Sequence, residues 1–216
     1  AIYLMSNYHN PAGIMISRER REELPKIAAE YDTLILEDDA YCELLYDTTA
    51  DQTPVKAFDD TGCVIYLGSF SKLVSPGFRV GWAVAPDELV KTWNICRPKF
   101  DVGSAQLNQE IIAELHVDNW LDGHIERLIE GYSERREAMI ESLEEHMPEG
   151  VAWTKARGGF YSWVTVPDRV DLDSLFRTAA KNKVMYFTGN FFYLDHQHHG
   201  HFRLCFSRPP ADVIRE

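Results

Sequence analysis

Four apolar runs in the first hundred residues, three of them ending in polar or charged side chains, narrow the fold more than any other feature. They are AIYLMS, TLILEDD, CVIYLGS and FRVGWAVA. Short continuous apolar runs read as strands buried on both faces. Between the first two, Ser17 is placed to cap a helix whose Leu24, Ile27, Ala28 and Tyr31 share one face, with Pro25 expected to bend it. Apolar strands separated by helices predict an α/β fold, a mostly parallel sheet flanked by helices. Ligands in such sheets gather beyond the carboxyl ends of the strands. Asn10, Asp38 and Lys72 each follow such a run and are expected on one rim.

From about Gln106 the texture changes. A helix is predicted through Ile111, Ile112 and Leu115, then a long one from Leu121 to Met147 that keeps helical spacing despite Gly131. VAWT and GGFYSWVTV read as strands joined by a turn at Arg157-Gly158-Gly159. DLDSLFRTAAKN reads as a helix, VMYF and FRLCFS as strands, and ADVIRE as a helix beginning. Residues 1–118 are therefore expected to form part of a larger α/β domain and 119–216 a smaller α+β domain.

The 216 residues carry a net charge of −12, which argues against nucleic acid or an anionic membrane as partner. Cys42, Cys63, Cys96 and Cys205 form no CxxC pair and read as reduced thiols. No apolar run is long enough to cross a bilayer and no signal peptide is visible, so a cytoplasmic location is expected. The chain opens at Ala1 on the edge of a strand signal and closes where a helix signal starts, so both ends are expected to be internal to a longer protein.

The chemistry concentrates between residues 38 and 79. Lys72 sits in SFSK, after an apolar strand, with Ser69 and Ser71 beside it and Arg79 seven residues on. Asp38 and Tyr41 stand where TLILEDD leaves the sheet. Each group meets one need of pyridoxal 5'-phosphate. The lysine amine can form a Schiff base, and the carboxylate can hold the pyridine nitrogen protonated. Serine hydroxyls and a guanidinium can hold the phosphate. Tyr41 and the amide of Asn10 can reach the ring's phenolic oxygen.

NPAG, DDAY, SFSK, FRVGW, GGFYSW and FRLCF, in this order, resemble the fold-type I pyridoxal phosphate aminotransferases of class I and II. The likeness is to the branch holding 2-aminoadipate and other broad-specificity enzymes. Aminotransferase-like domains of GntR-type regulators are similar too. The resemblance implies transfer of an amino group from an L-amino acid to a 2-oxo acid through a Lys72 Schiff base. It implies Asp38 on the pyridine nitrogen, Tyr41 and Asn10 on the ring oxygen, and Ser69, Ser71 and Arg79 on the phosphate. Arg203 would take the substrate α-carboxylate beside Asn10, and the intact protein would be a homodimer. Two positions depart from the family pattern, Ser6 where a proline is usual and Thr188-Gly189 in place of Pro-Gly. The family's N-terminal half, with a glycine-led helix start for the phosphate and an aromatic ring stacked on the pyridine, has no counterpart here.

Other readings compete. Ser69 to Lys72 also satisfies SxxK, but the KTG strand of serine acylases is missing. His196, His198, His199 and His201 could hold a metal, although their loop offers only Asp195 as a further ligand. The chain could also serve a transcriptional regulator, reading an effector without turnover, or be inactive as it stands.

Overall fold

The four apolar runs become one sheet in the order β1 (Ile2–Leu4), β2 (Ile35–Asp38), β3 (Val64–Ser69) and β4 (Gly81–Val84). This is a computed structural model, and it describes residues 1–100 and 103–216. β1, β2 and β3 run parallel, and β4 returns antiparallel against β3. Register is fixed by Ile35 and Val64, which are fully buried with Ala28 and Val55 and pack with the buried Cys63. The run predicted as a fourth buried strand behaves differently, because all four residues of β4 are exposed. Gly68 explains the pairing at that edge. Any side chain there would collide with the Trp82 indole, which covers it from β4.

The helix α1 (Arg18–Glu30) continues through Pro25, and its buried face is the predicted one only in part, since Ala28 is buried and Leu24 packs against the core. Arg21, Pro25 and Ala28 are buried, while Ile27 and Tyr31 are exposed at 40% and 72%. Arg21 wins this face because its guanidinium is satisfied by the carbonyls of Ile16, Thr53 and Ser6 and by Asn7 Oδ1, at 2.7–2.9 Å. Ser17 holds the N-cap position, yet its side chain accepts no helix N–H. After the sheet come α2 (Asp87–Cys96), α3 (Gln106–Glu114) and the long α4 (Trp120–His146).

A second, antiparallel sheet has the order β5 (Ala152–Trp153), β6 (Tyr161–Thr165), β8 (His201–Cys205) and β7 (Phe187–Thr188). Here α5 (Leu172–Lys181) starts on Asp171, whose carboxylate accepts the N–H groups of Asp173 and Ser174. Val164, Val166, Leu172, Tyr186 and Phe202 form its core. The chain closes with α6 (Ala211–Arg215). Two compact units result: Ala1–Asn7 with Met15–Leu128, and Tyr8–Ile14 with Ile129–Glu216. Among the described residues, no helix is long and apolar enough to cross a membrane.

Candidate active site

In the first unit, strand parity decides which side chains meet. Tyr3 pairs with Leu36, and Asp38 lies two residues beyond Leu36, so Tyr3 and Asp38 share a face. Asp38 pairs with Leu67, and Ser69 follows two residues later on that same face. Asp38 and Ser69 thus stand together at the carboxyl ends of parallel strands. Tyr3 donates its hydroxyl to Asp38 Oδ2 at 2.5 Å. Partial burial, then the bond to Asp38 and its negative charge, raise the Tyr3 phenol above its ordinary range.

The loop after β3 carries the lysine. Phe70 N–H bonds the Val80 carbonyl, and Asn108 of α3 donates to the Phe78 carbonyl at 2.9 Å. His124 of α4 meets the Leu73 carbonyl at 2.9 Å. Pinned in this way, Lys72 is half-buried, with Nζ 5.8 Å from the ring centroid of Tyr41, itself only 4% exposed. Among the described residues, the Lys72 amine has no hydrogen bond and no ion pair. Ser71 N–H bonds Ser69 Oγ at 3.1 Å, and Arg79 Nη1 reaches Ser71 Oγ at 3.4 Å. Arg79 adopts a left-handed backbone (φ 54°), which turns it back toward the serines. Two hydroxyls and a guanidinium one bond apart suit a phosphate, and an unpaired amine above a tyrosine ring suits an aldehyde. These residues fit pyridoxal phosphate.

The opposite face of β2 is closed and polar. Glu37 is fully buried and accepts the N–H groups of Val55 and Lys56. Asp39 receives both Asn7 Nδ2 bonds at 3.0 Å and the Tyr66 hydroxyl at 3.2 Å. Burial, only partly offset by the Asn7 bond, pushes the Asp39 carboxyl up to about 7.

In the second unit, Arg203 lies on β8 between Trp163 of β6 and Phe187 of β7. Its guanidinium carbon is 4.2 Å from the Tyr161 ring centroid, 4.9 Å from Phe187 and 5.1 Å from Phe192. Nη1 donates to Asn10 Oδ1 at 2.6 Å, while Nε is buried without a partner among the described residues. A buried orphan donor beside a bound one leaves room for an acceptor from outside, and a carboxylate has the geometry to supply it. Asn10 is held by the NPAG loop, where Gly13 has φ +64° and an added Cβ would lie 2.5 Å from the Tyr161 carbonyl. Only glycine fits there.

Among the described residues, no three histidine, cysteine, aspartate or glutamate side chains are grouped to hold a metal ion. In the histidine loop, His199 instead pairs with Asp195 at 2.7 Å and His201 meets the Tyr193 hydroxyl at 3.1 Å. Nothing in the sequence marks Tyr3 as the partner of Asp38. The GGFYSW motif and the Phe191-Phe192 pair are visible there too, but without any link between their rings and Arg203. Those contacts exist only once strands far apart in the chain are paired.

A family model described as aminotransferase class I and II matches residues 2–216. The aromatic-amino-acid aminotransferase 1 of Thermococcus litoralis is 38% identical over 215 residues, covering 100% of this chain and 51% of the relative. An uncharacterised HTH-type transcriptional regulator of Bacillus subtilis, YdfD, is 32% identical over 88% of this chain and 39% of its own length. The structure of LysN, an α-aminoadipate aminotransferase of Thermus thermophilus complexed with N-(5'-phosphopyridoxyl)-L-leucine, superposes with a TM-score of 0.90 at 30% identity. It is matched over 99% of this chain and 55% of its own. The chain thus spans about half the length of the aminotransferases it matches.

Proposed function

Because the chain belongs to the class I and II aminotransferases, we propose that it is the lysine-bearing part of a pyridoxal phosphate-dependent transaminase. The reaction moves an amino group from an L-amino acid to a 2-oxo acid. The observation that carries this reading is the Lys72 amine, half-buried, unpaired and set over Tyr41 on the rim that holds Asp38. When bound, the cofactor supplies an electron sink for the pair left at the substrate Cα.

The chain's own residues do the rest. Lys72 would hold the cofactor through its amine and would move the proton at the substrate Cα. Asp38 keeps its carboxylate toward the ring nitrogen, and Tyr41 serves the ring oxygen. Ser69, Ser71 and Arg79 bind the phosphate. Arg203, with Asn10 fixing one nitrogen, receives the substrate α-carboxylate and orients the C–H bond to be broken. Asn10 Nδ2 remains as a donor for the ring oxygen. We assign residues 1–118 to a large cofactor domain and 119–216 to a small one, in a cytoplasmic homodimer. Regulators occur among the relatives, and no feature of this site favours that role.

Lys72→Ala is the direct test. The protein mixed with pyridoxal phosphate should show a visible absorbance that the variant lacks. Equal colour in both would overturn the assignment.

A further inference from the structure

Asp38 and Asp39 are adjacent in sequence and opposite in the sheet, and each receives a tyrosine hydroxyl from a neighbouring strand. Asp39 takes Tyr66 of β3 on the closed face, within a network of buried partners. Asp38 takes Tyr3 of β1 on the open face, and among the described residues this is its one side-chain hydrogen bond.

We propose that Tyr3 is a positioning residue for the cofactor's ring nitrogen: its hydroxyl occupies Asp38 Oδ2 and sets the carboxylate so that Oδ1 is offered to that nitrogen. This inference rests on the transaminase reading. Tyr3 is 60% exposed as a residue, the exposure of an ordinary surface side chain, and three observations separate it from a chance surface contact. The 2.5 Å separation is that of a charge-assisted O–H···O⁻ bond. The pairing of Ile2, Tyr3 and Leu4 with Ile35, Leu36 and Glu37 fixes Tyr3 two positions from Asp38 on one face. The raised phenol also keeps the hydroxyl a donor across the neutral range. A carboxylate at a strand end can turn about its Cβ–Cγ bond. A fixed donor on one oxygen stops that rotation and leaves the other for a single partner.

The test uses equilibrium titration of the protein with pyridoxal phosphate and with an analogue whose ring nitrogen is replaced by CH. Tyr3→Phe keeps the ring and removes the hydroxyl. It should weaken pyridoxal phosphate about tenfold, as expected for one charge-assisted hydrogen bond, and leave the analogue within about twofold. In an Asp38→Ala background the Tyr3→Phe effect should vanish. Tyr66→Phe, on the other face, should not discriminate between the two ligands. Equal weakening of both ligands by Tyr3→Phe, or weakening of neither, overturns the inference while leaving the transaminase reading in place. Failure of the unaltered protein to bind pyridoxal phosphate overturns that reading and this inference with it.

Discussion

Three aromatic rings surround the Arg203 guanidinium, and one of its nitrogens is buried without a partner among the described residues. The planar group stacks on rings and has the fork geometry for the substrate carboxylate proposed for it. Arg203→Lys keeps the charge and loses both. It should lower kcat/KM for the amino-acid substrate tens- to thousands-fold, about 2–4 kcal/mol, as steady-state kinetics would show. A change below about threefold would mean the carboxylate is held elsewhere. At this scale the sequence is informative where groups are close along the chain: Lys72, Ser69, Ser71 and Arg79 sit in one loop. It is silent where a partner comes from another strand, as Tyr3 and Phe187 do. Arg21 is the extreme case, since RERREEL gives no hint that its fourth residue is wholly buried.

Elements are more legible than their faces. Most strand runs and the helix over DLDSLFRTAAKN lie near their expected places, because apolar runs and a 3.6-residue period leave clear marks; VMYF is the miss among the strands, since only its Phe187 enters β7 (Phe187–Thr188). The face of α1 is the exception, because hydrocarbon spacing cannot foresee a guanidinium claiming the interior through backbone carbonyls. Two substitutions test local supports. Asp171→Ala removes the acceptor for the first N–H groups of α5 and should cost about 1 kcal/mol in urea denaturation. Gly13→Ala forces a side chain against the Tyr161 carbonyl at a left-handed φ and should cost more than about 1 kcal/mol. Because Gly13 shapes the loop that holds Asn10, the same change should raise the amino-acid KM.

At the scale of the whole molecule, buried charge sets how stability responds to pH. Asp39 binds its proton more tightly folded than unfolded, with the folded value at about 7 against an unfolded value of about 4. As pH rises between these values, the unfolded chain sheds the proton first, so stability falls across that window and levels off above about pH 7. The loss can reach about 4 kcal/mol. Asp39→Asn mimics the protonated side chain and should flatten the slope in thermal melts taken from about pH 4 to about pH 8. A slope unchanged by this substitution would show that other groups carry it. The homodimer proposed for the intact protein is checked by sedimentation equilibrium of the full-length protein, where a monomer mass would refute it.

β2 explains why this architecture resists one kind of change. Its outward aspartate is the one proposed to face the cofactor and its inward neighbour is locked in the interior, so the proposed function depends on counting as much as on composition. Inserting or deleting one residue ahead of Ile35 would exchange their duties, burying the useful acid and exposing the structural one, with the amino-acid content almost intact. Engineering this strand should therefore proceed in steps of two.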